Sequence, residues 1–325
     1  MGASRGVNET IQRENWELAD RFPRTVDRAG NIYMPEGDII LSAGKLVGAG
    51  DHFIYSTLAK RFTEIGRKVY LYRVTCARNN DTLDMVWGRN PYIVGTTDRA
   101  PNAGYVRQGL FYEVANRLPI GSIAAMEMAH GLPPPYSIAP YINYKPKKFP
   151  FELQDTVLVD FSAVSSKIGE QGIGEFLRAM KGRFRNAPFL QLIPPKNISL
   201  HPPQIACPSV QINGIAEYMD ALSGCRAWIG SEAGGQSFAA TVRGEHTVYD
   251  LEARPEIVVL STMKTYNSRG YCYAGADYRS TIFGEDKTGD YFFPGEMERH
   301  IYDIRCEWSL EQMRSDNPQS WKAVV

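Results

Sequence analysis

The stretch that most constrains this chain runs from Asp38 to Tyr72. It opens with Asp38-Ile39-Ile40-Leu41-Ser42, an apolar run that reads as a buried strand. A glycine-rich turn from Gly44 to Gly50 follows and delivers an acid, Asp51, to the start of a helical pattern. Phe53, Ile54, Leu58 and Phe62 fall on one face of that helix, and Gly66 closes it. Lys68-Val69-Tyr70-Leu71-Tyr72 then begins a second strand. Strand, helix and strand in this order predict the first β-α-β unit of a doubly wound parallel sheet. They also place a carboxylate at the crevice outside the strand end.

With 325 residues the chain can build two cores. Hydrophobic residues make up 43% and charged residues 22%, which excludes a largely disordered chain. Zero formal net charge argues against a general polyanion binder and leaves room for a local basic face. The cysteines (Cys76, Cys207, Cys225, Cys272, Cys306) are scattered with no CxxC pair. That pattern implies neither a zinc ribbon nor a disulfide framework and fits reduced thiols in a cytoplasm. The N-terminus has no apolar core of a secretory signal, and no stretch reaches membrane-spanning length.

Taken in order, residues 1–37 read as a polar leader with a short helix near 14–22. The first domain covers 1–140, and the second covers 141–300. Residues 132–150 carry six prolines in nineteen residues, cannot sustain a helix or central strand, and read as the interdomain linker. In the second domain, strands at 156–161, 189–193, 210–213, 225–230 and 257–260 alternate with helices, which again predicts a parallel sheet. Thr247-Val248-Tyr249 is a further strand candidate, 264–295 reads as irregular, and 296–315 reads as a C-terminal helix. The part of it within 301–325 could pack back on the first domain.

Two such domains place their ligand cleft at the C-terminal ends of both sheets. Gly230-Ser231-Glu232-Ala233-Gly234-Gly235-Gln236-Ser237 lies between a strand and a helix. Its small residues allow close backbone approach, and the helix end beyond offers unpaired N–H donors to a diphosphate. The same glycines also suit a turn that simply lets strand and helix pack. Asp51 is either a helix-start acid favoured by the dipole or a general base. His52 cannot face Asp51 from the next helical position and is read as packing or acceptor-shaping. Lys167 is either a phosphate-neutralising lysine or an exposed loop residue.

Gly48-Ala49-Gly50-Asp51, the helix after it, Arg61-Phe62, the strand Val69–Tyr72 and Asn90-Pro91-Tyr92-Ile93 together resemble the N-terminal half of glycosyltransferase family 9. This family comprises the ADP-heptose heptosyltransferase-like enzymes. The segment from Ala221 to Ala240 resembles the family's donor-site segment. The likeness spans roughly residues 38–260 in islands. It departs where the family usually has Asp and this chain has Ser231-Glu232, and where the family often has His near Gln236.

The resemblance implies a GT-B fold, with two Rossmann-like doubly wound domains facing a central cleft. It implies an inverting, metal-independent transfer of a sugar from a nucleotide-diphosphate donor to an acceptor hydroxyl, with no cofactor. Residue by residue it makes Asp51 the base, Lys167 a donor-phosphate contact, and Ser231, Glu232, Gly234, Gly235, Gln236 and Ser237 the donor loop. Gly48, Gly50 and His52 fall on the acceptor side. One alternative acceptor is hydroxymethylated DNA, whose phosphates Lys145, Lys147, Lys148, Lys181, Arg183 and Arg185 would track. The other alternative is a non-catalytic GT-B-like binding protein.

Overall fold

The computed structural model describes residues 32–44, 48–77, 79–117, 121–133, 136–137, 139–162, 168, 170–195, 205–244, 255–262, 273, 276–282, 291–292 and 299–300. The chain forms two units and passes from the first to the second between Asn143 and Tyr144.

The first unit contains β1 (Ile39–Ser42), α1 (Ala49–Glu64), β2 (Val69–Tyr72) and α2 (Asn80–Leu83), which runs into a π turn at Asp84–Gly88. There follow β3 (Ile93–Thr97), β4 (Ala103–Gly104), a 3₁₀ turn at Tyr105–Arg107, α3 (Gln108–Arg117) and α4 (Ser122–Ala129). The strands are parallel, in the order β3-β2-β1-β4. All of β1 is buried, as a continuous apolar run in a two-sided parallel sheet should be.

Phe53, Ile54, Leu58 and Phe62 are buried on α1, as the spacing predicts, but Tyr55, Ser56, Thr57 and Ala59 are buried too. The polar pair is satisfied locally and by the chain at Tyr141. Ser56 Oγ donates to Phe53 O at 2.9 Å and Tyr141 O at 3.1 Å, and Thr57 Oγ1 accepts from Tyr141 N at 3.0 Å. β4 escapes sequence reading because it is two residues long. Gly104 has φ +82°, and a Cβ there would lie 2.2 Å from Ser42 O, so only glycine lets this strand close on β1.

The second unit contains β5 (Val157–Asp160), α5 (Glu170–Arg183), β6 (Phe189–Ile193), β7 (Ser209–Gln211), α6 (Ile215–Gly224), β8 (Ala227–Ser231) and α7 (Gly234–Arg243). Four strands complete it: β9 (Glu256–Thr262), β10 (Ala276–Ile282), β11 (Tyr291–Phe292) and β12 (Arg299–His300). The order is β11-β10-β9-β8-β5-β6-β7, with β12 also on β10. β7 to β10 are parallel, and β11 and β12 run antiparallel to β10. α5 packs Phe176, Leu177 and Met180 into a core with Val157, Val159, Ile229 and Val258.

Two sequence expectations change. The stretch read as irregular holds β10 and β11. β10 alternates, with Ala276 and Tyr278 buried on one face, and its register runs from Ala276 opposite Ile257 to Thr281 opposite Thr262. The surrounding Gly, Asp and Tyr residues obscure that alternation. Arg299–His300, read as part of the C-terminal helix, pair with Asp277–Tyr278 as a strand. The leader helix at 14–22, the strand candidate at 247–249, Lys167 and the segment 301–325 lie outside the described residues.

The proline-rich stretch is fastened down. Arg61 Nη2 donates to Pro133 O at 2.8 Å, Ser137 N to Glu127 Oε2 at 3.1 Å, and Asn143 Nδ2 to Arg89 O at 2.9 Å. Immediately beyond, Tyr144 OH and Lys147 N both donate to Asp220 Oδ1 at 2.7 Å.

In each sheet the winding reverses beside the unit's first strand, between β1 and β4 and between β5 and β8. Ligands of open α/β sheets bind outside the strand C-termini at such points.

Candidate functional site

At the first reversal point the residues after β1 lead into α1. Gly48 is its N-cap, in extended conformation, and Asp51 in the first turn accepts a hydrogen bond from Gly48 N at Oδ2, 2.9 Å away. Asp51 therefore caps its own helix. Gly48, Gly50 and Asp51 are all part-exposed. Beside the acid lie two phenols that the motifs do not reveal. Tyr55 and Tyr105 meet edge to face, with ring centroids 6.3 Å apart. Burial first, and the Asp51 charge next, push both hydroxyls above their ordinary range. Both phenols stay protonated and can donate. His52 is fully buried, and its Nδ1 accepts from Trp87 Nε1 at 2.9 Å, so its ring serves packing.

At the second reversal point β8 ends in Ser231. That side chain is 1% exposed, and among the described residues its Oγ has no hydrogen-bond partner. Glu232 is also buried. Ala233 is the N-cap of α7 and supplies no side-chain cap, and in the first turn Gln236 N donates to Ala233 O at 3.2 Å. Gly234 opens the helix, half-buried. Gln236 and Ser237 are turned inward to tyrosines: Gln236 Oε1 accepts from Tyr278 OH at 3.1 Å, and Ser237 Oγ shares a hydrogen bond with Tyr273 OH at 2.5 Å. Of the loop read from the sequence, the backbone at Gly234 and the Ser231 hydroxyl are thus the groups suited to a ligand. Lys167 lies outside the described residues.

Beneath this helix start is a buried network that sequence reasoning missed. Trp228 Nε1 donates to Tyr218 OH at 2.9 Å, which donates to Asp160 Oδ2 at 2.6 Å. Asp160 Oδ1 accepts from Ser162 N at 2.8 Å and from Ser162 Oγ. Burial pushes the Asp160 carboxyl upward against the effect of these donors. The network explains two glycines. A Cβ on Gly230 would lie 2.3 Å from Asp160 O, and one on Gly235 would lie 2.7 Å from both Tyr218 OH and the Trp228 ring. At these two positions the packing reading of the glycine loop has direct steric support. The only signal in the sequence was an acid ending an apolar strand, followed by Ser162 two residues on.

Several cations of the DNA-acceptor alternative are engaged. Lys148 pairs with Glu152 at 2.7 Å, Arg183 pairs with Glu256 and Asp277, and Lys181 lies over the Phe189 ring. Lys145, Lys147 and Arg185 are exposed. Among the described residues no three His, Cys, Asp or Glu gather as metal ligands would, and no helix is long and apolar enough to cross a membrane.

No protein-family model matches this sequence, and no curated protein matches it. Solved structures do. The iron-containing dodecameric glycosyltransferase TibC from enterotoxigenic E. coli is similar at TM-score 0.50 and 14% identity, over 90% of this chain and 76% of that one. TibC in complex with ADP-D-β-D-heptose gives 0.48 and 15%, over 90% and 78%. A glycosyl transferase family 9 protein from Veillonella parvula gives 0.47 and 9%, over 89% and 98%. TibC is iron-containing, but the described residues here offer no ligand cluster for such an ion, and no chemical step is assigned to one. The structures that the chain resembles are glycosyltransferases, heptosyltransferases among them, the group to which the sequence motifs point. The chain has their α/β fold, built from two units with parallel sheets.

Proposed function

We propose that this protein is an inverting glycosyltransferase that moves a sugar from a nucleoside-diphosphate donor to an acceptor hydroxyl. The observation that carries the reading is the start of α7. A helix N-terminus at a sheet reversal point has no side-chain cap, opens on glycine, and adjoins a buried serine hydroxyl without a partner among the described residues. The N–H groups of a helix start and the positive end of the dipole suit a diphosphate. The fold likeness to TibC supports the same reading.

In this reading the second unit holds the donor. Gly234 and its neighbours meet the charge that develops on the leaving diphosphate, and Lys167 adds a cation by resemblance. The helix end and the lysine supply the stabilisation that a metal would otherwise give. The first unit takes the acceptor. Asp51 removes the proton from the attacking hydroxyl, while Tyr55 and Tyr105 offer hydroxyl donors beside it. Attack from the face opposite the leaving group inverts the anomeric centre. Because Lys148 and Arg183 are paired with acids, we favour a saccharide-type acceptor over DNA. The scattered thiols, of which Cys76, Cys207 and Cys225 form no disulfide, favour a cytoplasmic setting.

The test is a thermal-shift screen against nucleoside diphosphates and their sugars, followed by turnover assays with the sugar that protects. A ligand bound only by the native state raises the melting temperature. Protection with transfer is expected. Protection without any transfer or hydrolysis would favour the non-catalytic alternative, and no protection would remove the donor site from α7.

A further inference from the structure

The start of α7 already has a resident anion. The Asp160 carboxylate ends β5, is 6% exposed, and lies 3.2 Å from where a Cβ on Gly235 would stand. The donors around it favour its ionised form. Trp228 Nε1 can only donate, so Tyr218 OH accepts from it and gives its own proton to Asp160 Oδ2. Ser162 N can likewise only donate to Oδ1. The Ser162 hydroxyl converges on the same oxygen. These donors favour the ionised carboxylate, and burial opposes them. No Lys, Arg or His among the described residues pairs with it.

We propose that Asp160 sets the affinity of the α7 helix end for a nucleoside diphosphate by opposing it, which speeds release of the spent leaving group. This rests on the donor-site reading above. A helix N-terminus stabilises one anion well. Two anions at the same end share that stabilisation and repel each other through a poorly screened interior. Asp160 is therefore an affinity-setting residue, and it need not touch the ligand. The groups around it are Ser162 on the β5 exit, Tyr218 of α6, Trp228 of β8 acting through Tyr218, and the Gly235 backbone of α7. Cys225 acts on Tyr218. Glu232 is the other buried acid of the neighbouring loop.

The experiment measures dissociation constants of ADP, UDP and GDP, with pyrophosphate as the minimal probe, for the full-length wild type and Asp160→Asn at pH 7.5 and 5.5. Removing one like charge at roughly 10 Å in a medium of effective dielectric ~20 corresponds to about a tenfold gain in affinity. At pH 7.5 the variant should bind about tenfold tighter. Phosphate itself titrates near pH ~6, so the ratio of wild type to variant, in which that titration cancels, is the quantity to follow. Burial raises the Asp160 pKa, so the ratio should move toward one as pH falls. Tyr218→Phe removes a donor that favours the ionised form and should tighten binding by less. It decides the matter if Asp160→Asn does not fold. Equal or weaker binding by the folded variants at pH 7.5 would overturn the proposal. Failure of every diphosphate to bind the wild type would overturn the donor-site reading, and this proposal with it.

Discussion

The two sheet reversal points share a strand order and differ in how their helices begin. α1 carries its own acid in the first turn, hydrogen-bonded back to the Gly48 backbone. α7 starts from Ala233 with no side-chain cap and opens on two glycines. A first turn whose own carboxylate is bonded to the N-cap backbone offers less to an anion than one that opens on glycines with its nearest acid, Asp160, set beneath it. The start of α1 lies beside two buried phenols, Tyr55 and Tyr105, whose hydroxyls stay protonated. In the proposed function the two ends of one topology serve different halves of a transfer reaction. The difference lies in a handful of side chains and leaves the fold unchanged.

The change expected to break this contrast most severely is Asp51→Asn. Asparagine keeps an acceptor for Gly48 N but cannot take the acceptor's proton. Turnover should fall by about 10²–10⁴, the usual worth of general-base assistance. Donor affinity should hold, and stability should change by about 0.3–1 kcal/mol. Steady-state rates with near-normal turnover would leave α1 with a capping acid and nothing more. Gly234→Val attacks the other end. A side chain on the first residue of α7 should bar backbone approach and abolish nucleotide protection in the thermal-shift screen, and full protection would place the donor elsewhere.

A third test compares the buried acids of the two units. Glu127 in α4 accepts from Arg61 Nε at 3.1 Å, whereas Asp160 is held by hydroxyls and an amide. Burial pushes the Glu127 carboxyl upward, partly offset by Arg61. The folded state then binds the proton more readily than the unfolded chain. Stability from this group is fully present below the unfolded pKa of about 4.3 and is lost as pH rises through the folded value. Denaturant titrations should show a smaller decline with pH in Glu127→Gln than in the wild type, and an unchanged slope would mean that Arg61 cancels the burial. The smallest effect concerns the inward-turned loop. Ser237→Ala loses one buried hydrogen bond to Tyr273 and should cost about 1 kcal/mol. Diphosphate affinity should be unaltered, and a lost affinity would return Ser237 to the list of donor contacts.

How far the sequence could be read follows from range. The first β-α-β unit was legible because its apolar spacing repeats within thirty-odd residues. The parallel character of the second unit came from the same alternation of runs. The loop at 230–237 was legible as a strand-to-helix turn because small residues cluster there. Its inner workings were not, since Tyr218, Trp228 and Asp160 meet only when α6, β8 and β5 are assembled. Ser56 and Thr57 fall outside the apolar spacing of α1, and their burial depends on the distant chain at Tyr141. β10 was hidden by its irregular neighbours, and β4 was too short to show any period.

The fastening of the proline-rich stretch bears on how this protein can be cut or extended. One side is tied down as far as Asn143, and the other begins at Tyr144, bound to Asp220. Proteases cleave, and grafted segments survive, where several residues of backbone are free to leave the surface. From Tyr141 to Lys147 hydrogen bonds recur every few residues. Despite a composition that suggests a flexible joint, limited digestion should spare this stretch, and an insertion there should disturb both neighbours.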